Sequence, residues 1–283
     1  MNAVQALRGA ALLLFISQAT LAQEPVFDVH VHLREGEKSI AEYEAQVKAG
    51  RREVGGFGGM WFGGYHQALQ GDVEQTRARN DALVALAAKH PKMLPIVTVH
   101  PYDGQAALGE LRRVADRGMR VVKLHAHTQK FDVSDPRVLA LVREAGALGV
   151  IVLMDNANIV PGDSERLFNL AVQAPKTTFV FAHIGGLNFR FWNVLALVRT
   201  AENFFMDNIY FDISATVLLA ADSPIEEEFV WTLRNIGVDR VILGSDYPQI
   251  SLSRTLDAFE KLDLDESEKA KIRYANARKL FGR

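Results

Sequence analysis

Cysteine is absent from the 283 residues. That excludes a disulfide framework, a thiolate nucleophile and a zinc–cysteine site, so any metal must be held by histidine, aspartate or glutamate. Positive charge is not in excess: 32 basic against 34 acidic residues leave a net charge of -2. With no basic stripe, nucleic acid is not expected as a partner. No apolar run approaches the ~20 residues that span a bilayer, so stable membrane insertion of the mature chain is not expected. Glycine is plentiful, yet the phosphate-cradling patterns G-x-G-x-x-G and G-x-x-x-x-G-K-[ST] are missing.

What is present begins with a basic start ending in Arg8, a short apolar run from Gly9 to Ile16, and small residues at Thr20 and Ala22. This is the pattern of a secretory signal peptide cleaved after Ala22, which predicts a leader over 1–22 and a secreted or periplasmic location. The remainder, 23–283, suits one large α/β domain, because barrels of about 250 residues form single units.

In that remainder short β-branched runs alternate with helix-period stretches, the rhythm of repeated βα units around a parallel sheet. The predicted strands are Val26–Leu33, Glu53–Met60, Leu94–His100, Arg120–His127, Val150–Asp155, Thr178–His183, Ile209–Ser214 and Arg240–Asp246. Asp135-Pro136 reads as a helix cap before an N1 proline, and Ser223 with Glu226 as a capping box. Gly118, Gly149 and Gly237 stand where helices should end. Eight such units predict a closed (β/α)8 TIM barrel, with an open doubly wound sheet as the alternative. The glycine-rich piece over 54–64 blurs the second strand and reads as a flexible βα loop carrying Trp61, Phe62 and Tyr65 over a pocket.

Barrel enzymes place their chemistry at the C-terminal ends of the strands. Six of the eight histidines, His30, His32, His100, His125, His127 and His183, fall at predicted strand ends. Asp155, Asp212, Ser214 and Asp246 end others. Alternation along "FDVHVHL" puts Asp28, His30 and His32 on one face and Phe27, Val29, Val31 and Leu33 on the other. The histidine face is expected to point into the barrel. Two imidazoles two residues apart reach one cation at about 2.0–2.1 Å. Asp246 completes such a site either as a ligand or as a general base. Lys123 shares parity with His125 and His127, so all three are expected to line the pocket. Asp28 is a candidate partner for a ligand histidine's second nitrogen, and Asp212 and Ser214 are candidates for supporting or substrate contacts.

Taken together, "FDVHVHL", "VVKLHAH", "FVFAHIGG", "LGSDYP" and "NARKLFG" stand in the order seen in the amidohydrolase superfamily. The chain most resembles the amidohydrolase-related branch, which includes aminocarboxymuconate-semialdehyde decarboxylase, aromatic-acid decarboxylases and dicarboxylate lactonases. The resemblance covers essentially the whole mature chain. It implies a distorted (β/α)8 barrel with one divalent ion, zinc or manganese. His30 and His32 would be ligands, Asp246 would ligate or take a proton, and His183 would orient or polarise substrate. The departure is at strand five, where Asp155 stands in place of the family's histidine ligand. Asp155 then ligates, or the site works without metal, or catalysis is lost and binding kept.

The reading that follows is an exported hydrolase of a small-molecule ester, lactone or amide-like bond. Its ion would lower the pKa of bound water to about 7, with Asp246 as general base and acid. Lys123, His125 and Arg34, with Trp61 above, would hold an anionic substrate. Non-oxidative decarboxylation on the same scaffold is the alternative, followed by a metal-independent lactonase and a catalytically dead binding protein. Assembly as a homo-oligomer is left open.

Overall fold

The computed structural model describes residues 25–61 and 68–282. The leader read over 1–22 lies outside the described residues, as do Phe62 and Tyr65. Eight strands form the sheet in chain order: β1 (Val26–Leu33), β2 (Val54–Trp61), β3 (Met93–Thr98), β4 (Val121–Leu124), β5 (Ile151–Met154), β6 (Phe179–Phe181), β7 (Ile209–Asp212) and β8 (Val241–Ile242). Every neighbouring pair is parallel. Past β8 the chain continues along β1 and closes the ring, with Val29 N donating to Leu243 O at 3.0 Å and His32 N to Tyr247 O at 2.7 Å. The architecture is an α/β TIM barrel with helices outside. Among the described residues, no helix is long and apolar enough to cross a membrane.

The core has two parts. One lies between strands and helices, and includes Val31, Leu33, Ile40, Tyr43, Val122 and Val152. The other fills the lower barrel with Phe27, Val29, Ile96, Val121, Leu153, Val180 and Ile242, and Ala277 and Phe281 from the helix Asn276–Phe281 close it. The rings of Phe27 and Phe281 stack at 5.7 Å between centroids. Above this apolar plug the same inward parity continues into polar residues: Val121 to Lys123, Leu153 to Asp155, Ile242 to Asp246.

Several sequence expectations need correction. The glycine-rich segment is not a loop over 54–61 but strand β2. A Cβ on Gly56 would come within 2.6 Å of the Phe27 ring, so the close approach of β1 and β2 excludes larger residues there. Alternation in β1 is also broken. Register advances from Asp28↔Phe57 to Val31↔Gly59, so β1 carries one extra residue, a β-bulge. The bulge turns Asp28 outward while His30 and His32 face inward. The capping box is not formed: Ser223 Oγ accepts from Ile225 N, and Glu226 reaches Asp222 N. Asp135 does cap its helix, accepting from Arg137 N. Gly118, Gly149 and Gly237 take positive φ, as helix-ending glycines should.

Candidate metal centre

His30 and His32 are lifted into the barrel mouth by the bulge, and Asp246 arrives from the loop after β8. His30 Nε2 and His32 Nε2 lie 3.1 Å apart. Asp246 Oδ1 is 3.6 Å from the first and 3.4 Å from the second. These three donor atoms all lie within 4.8 Å of one another, and among the described residues this is the group able to hold a metal ion.

Orientation of His30 comes from β7. Its Nδ1 lies 2.6 Å from Asp212 Oδ2. A carboxylate only accepts, so Nδ1 carries the proton and Nε2 presents its lone pair. Asp212 is itself fixed by Ser214 N at 2.6 Å. Gly244 makes the room, since a Cβ there would meet Asp212 Oδ1 and His30 Cβ at 2.8 Å. The partner of His30 Nδ1 is therefore Asp212 and not Asp28. Asp28 points the other way, to Tyr43 and Ser245.

Electrostatics suit a cation. Burial, against the pull of Asp246, lowers His32 to about 4, and burial likewise lowers His30. Both imidazoles are neutral near pH 7. For Asp246 burial acts upward, but His32, His30 and His183 outweigh it and hold the carboxyl at about 2. Two neutral imidazoles and one carboxylate fit a divalent ion such as zinc or manganese. Without a cation, a proton on His32 Nε2 lets that nitrogen donate to the His30 Nε2 lone pair at 3.1 Å; a bound ion takes that proton's place.

Asp155 stands apart from this group. Its Oδ1 lies 3.4 Å from His183 Nε2 and 3.6 Å from His125 Nε2. His183 Nδ1 meets Ser214 O at 3.1 Å and Ser214 Oγ at 3.0 Å. Burial opposes charge on His183, yet Asp155, Asp212 and Asp246 prevail and raise it to about 9. Asp246, His183 and Ala215 all carry positive φ, 65°, 60° and 59°. Such backbone costs about 1–3 kcal/mol per residue and gathers at functional sites.

One cavity of ≈ 540 Å³ includes His30, His32, Lys123, His125, Asp155, His183 and Asp246 in its lining. A smaller chamber of ≈ 60 Å³ adjoins it through His32, Lys123 and His125, with Met60, Trp61 and Ile96 as apolar walls. Lys123 is 8% exposed and lines both chambers. Burial lowers its pKa, against the pull of Asp155, Asp212 and Asp246. Arg34 is exposed and lines neither cavity. His127 sits on the short helix Ala126–Gln129 and pairs with Asp163 at 2.8 Å, so it leaves the pocket. His100 is structural: it bonds Gln129 O and caps the turn Pro101–Asp103.

The amidohydrolase family profile matches residues 27–283. The chain belongs to the amidohydrolase family. Relatives include the gamma-resorcylate decarboxylase of Rhizobium sp. (strain MTP-10005), 24% identical over 253 residues, covering 74% of this chain and 76% of that one. The same barrel recurs in 2,6-dihydroxybenzoate decarboxylase solved with 2,6-dihydroxybenzoate, at a TM-score of 0.69 and 18% identity, covering 92% and 99% of the two chains. It recurs in a dihydroxybenzoic acid decarboxylase from Polaromonas sp. JS666, solved with manganese and 2-nitroresorcinol. That likeness has a TM-score of 0.65, 17% identity, and covers 92% of this chain and 97% of the other.

Proposed function

We propose that this amidohydrolase-family enzyme is a metal-dependent, non-oxidative decarboxylase of a small aromatic carboxylic acid. The observation that carries the reading is the buried Lys123 side chain lining the same cavity as the His30, His32 and Asp246 donors. Relatives that act on dihydroxybenzoates favour this reaction over the ester, lactone or amide hydrolysis expected from the motifs alone. His30, His32 and Asp246 would hold the ion, whose chemistry is Lewis-acid polarisation of a substrate oxygen. The exported location belongs to the same proposal and rests on the pattern of residues 1–22.

The residues of the chain supply the rest. Lys123 receives the anionic group, whose negative charge favours the protonated amine against the burial that lowers its pKa. Ala157, Ile159 and Leu219 offer apolar wall for a ring. His183, charged near pH 7, gives its proton to the ring carbon that bears the carboxylate. The carbon–carbon bond then breaks, its electron pair returns to the ring, and CO2 leaves. Solvent reprotonates His183.

Purified protein loaded with Mn²⁺ or Zn²⁺ is expected to release CO2 from a 2-hydroxybenzoate-type acid and to lose that activity on chelation. Turnover of lactones with no CO2 from any aromatic acid would instead restore the hydrolase reading. Lys123→Met is expected to raise KM about 10- to 100-fold, the effect of losing a hydrogen bond to a charged group. Its melting temperature should hold, because the desolvation cost of burying the Lys123 amine is removed along with its attraction to Asp155, Asp212 and Asp246. A drop in kcat at constant KM would place Lys123 elsewhere in the reaction.

A further inference from the structure

We propose that Asp155 positions His183 and is not a ligand of the metal centre, which is left with three protein donors. The inference rests on the metal-centre reading above. Asp155 is held by its own backbone, whose N–H donates to Leu124 O at 3.1 Å and continues the register of β4 and β5. An aspartate oxygen ends one bond short of an imidazole Nε2 on the same backbone. Where a histidine would extend to the ion, this carboxylate meets His183 at 3.4 Å and His125 at 3.6 Å.

Residues 155–157 and the turn 183–186 are built as one unit. Four successive residues, His183, Ile184, Gly185 and Gly186, take positive φ of 60°, 44°, 86° and 54°. Non-glycine residues persist there only when the surroundings hold them. The surroundings are the segment after β5: Gly185 N donates to Asn156 O at 2.8 Å. Gly186 packs so closely that a Cβ would sit 2.5 Å from Ala157 O. On the opposite side Thr216 Oγ1 donates to His183 O at 2.6 Å. His183 thus faces acceptors at both ring nitrogens, Asp155 Oδ1 and Ser214 O. Nδ1 is anchored at Ser214, while the longer 3.4 Å contact to Asp155 sets the ring's orientation and leaves Nε2–H as the proton that can pass to substrate. Meanwhile a centre held by three side chains keeps an open position for substrate, as catalytic sites do.

The test is metal titration of the full chain by calorimetry, with Zn²⁺ and Mn²⁺, combined with ¹⁵N imidazole spectra. Asp155→Asn is expected to bind one equivalent with Kd within about 3-fold of the parent, while the His183 signals move and kcat falls about 10²-fold at little changed KM. A loss of metal affinity of about 10²-fold or more, matching that of His32→Ala, would make Asp155 a ligand and overturn the inference. Unmoved His183 signals would overturn it as well. Should Asp155→Asn fail to fold, Asp155→Ser, which keeps an acceptor, answers the same question. A parent chain that binds no divalent ion overturns the metal reading and this inference together. Absence of decarboxylation alone leaves the affinity and the spectra to decide Asp155.

Discussion

Asp246→Asn is expected to lower kcat/KM by about 10³-fold or more, within the range for removing an acid–base or metal-holding group. The variant keeps the shape of the side chain and removes its charge. Asparagine also tolerates the left-handed backbone found at position 246, φ 65°, better than alanine would. The fold should survive, because the bond from Asp246 N to His30 O, 2.9 Å, belongs to the main chain. What is lost is the only carboxylate of the donor group. His30 and His32 remain aimed by Asp212 and by the bulge, so residual ion binding would be weak and imidazole-only. Metal content, circular dichroism and turnover on one preparation check the prediction. Full metal occupancy with turnover within about 3-fold of the parent would remove Asp246 from the centre.

The barrel and half of its centre are legible in the sequence for a simple reason. Strand ends are where a TIM barrel carries polar groups, so His30, His32, Asp155, His183 and Asp246 announce themselves by position. All eight predicted strands occur, although β4 to β8 are shorter than expected, β6 having three residues and β8 two. What pattern reading misses has local causes. The extra residue in β1 reverses parity, and a period-2 rule applied through it assigns Asp28 to the wrong face. The chain bends into helix after His125, which carries His127 away from Lys123. Glycines in β2 read as loop because strand propensity ignores how closely Phe27 packs on Gly56. The pairing of His30 with Asp212 joins residues 182 apart, beyond any local signal.

Asp28→Ala is expected to destabilise the protein by about 3–5 kcal/mol, the cost of breaking a buried charged network. The site is the barrel seam. With β8 only two residues long, the join to β1 depends on the loop over residues 243–247. Asp28 is fully buried there and accepts from Tyr43 OH at 2.9 Å, Ser245 Oγ at 2.7 Å, Ser245 N at 2.8 Å and His30 N at 3.3 Å. It therefore fastens β1, the helix Glu37–Ala49 and the seam loop at one point. Alanine leaves two hydroxyls and two backbone N–H groups without their acceptor. At roughly 2–4 °C per kcal/mol, the melting temperature should fall by about 6–20 °C. Metal affinity should fall with it, because His30 and Asp246 hang from the same seam. Asp28→Asn keeps one acceptor oxygen and should cost less. It also tests the charge. Burial raises Asp28 to about 6 despite its hydrogen bonds, so the folded state holds the proton more tightly than the unfolded chain. Stability from this group is then complete below the ordinary carboxylate pKa and is lost as pH rises through 6. Asp28→Asn should flatten that decline between pH 4 and about 7 in urea titrations. An alanine variant melting within about 2 °C of the parent would show that the backbone bonds alone close the barrel.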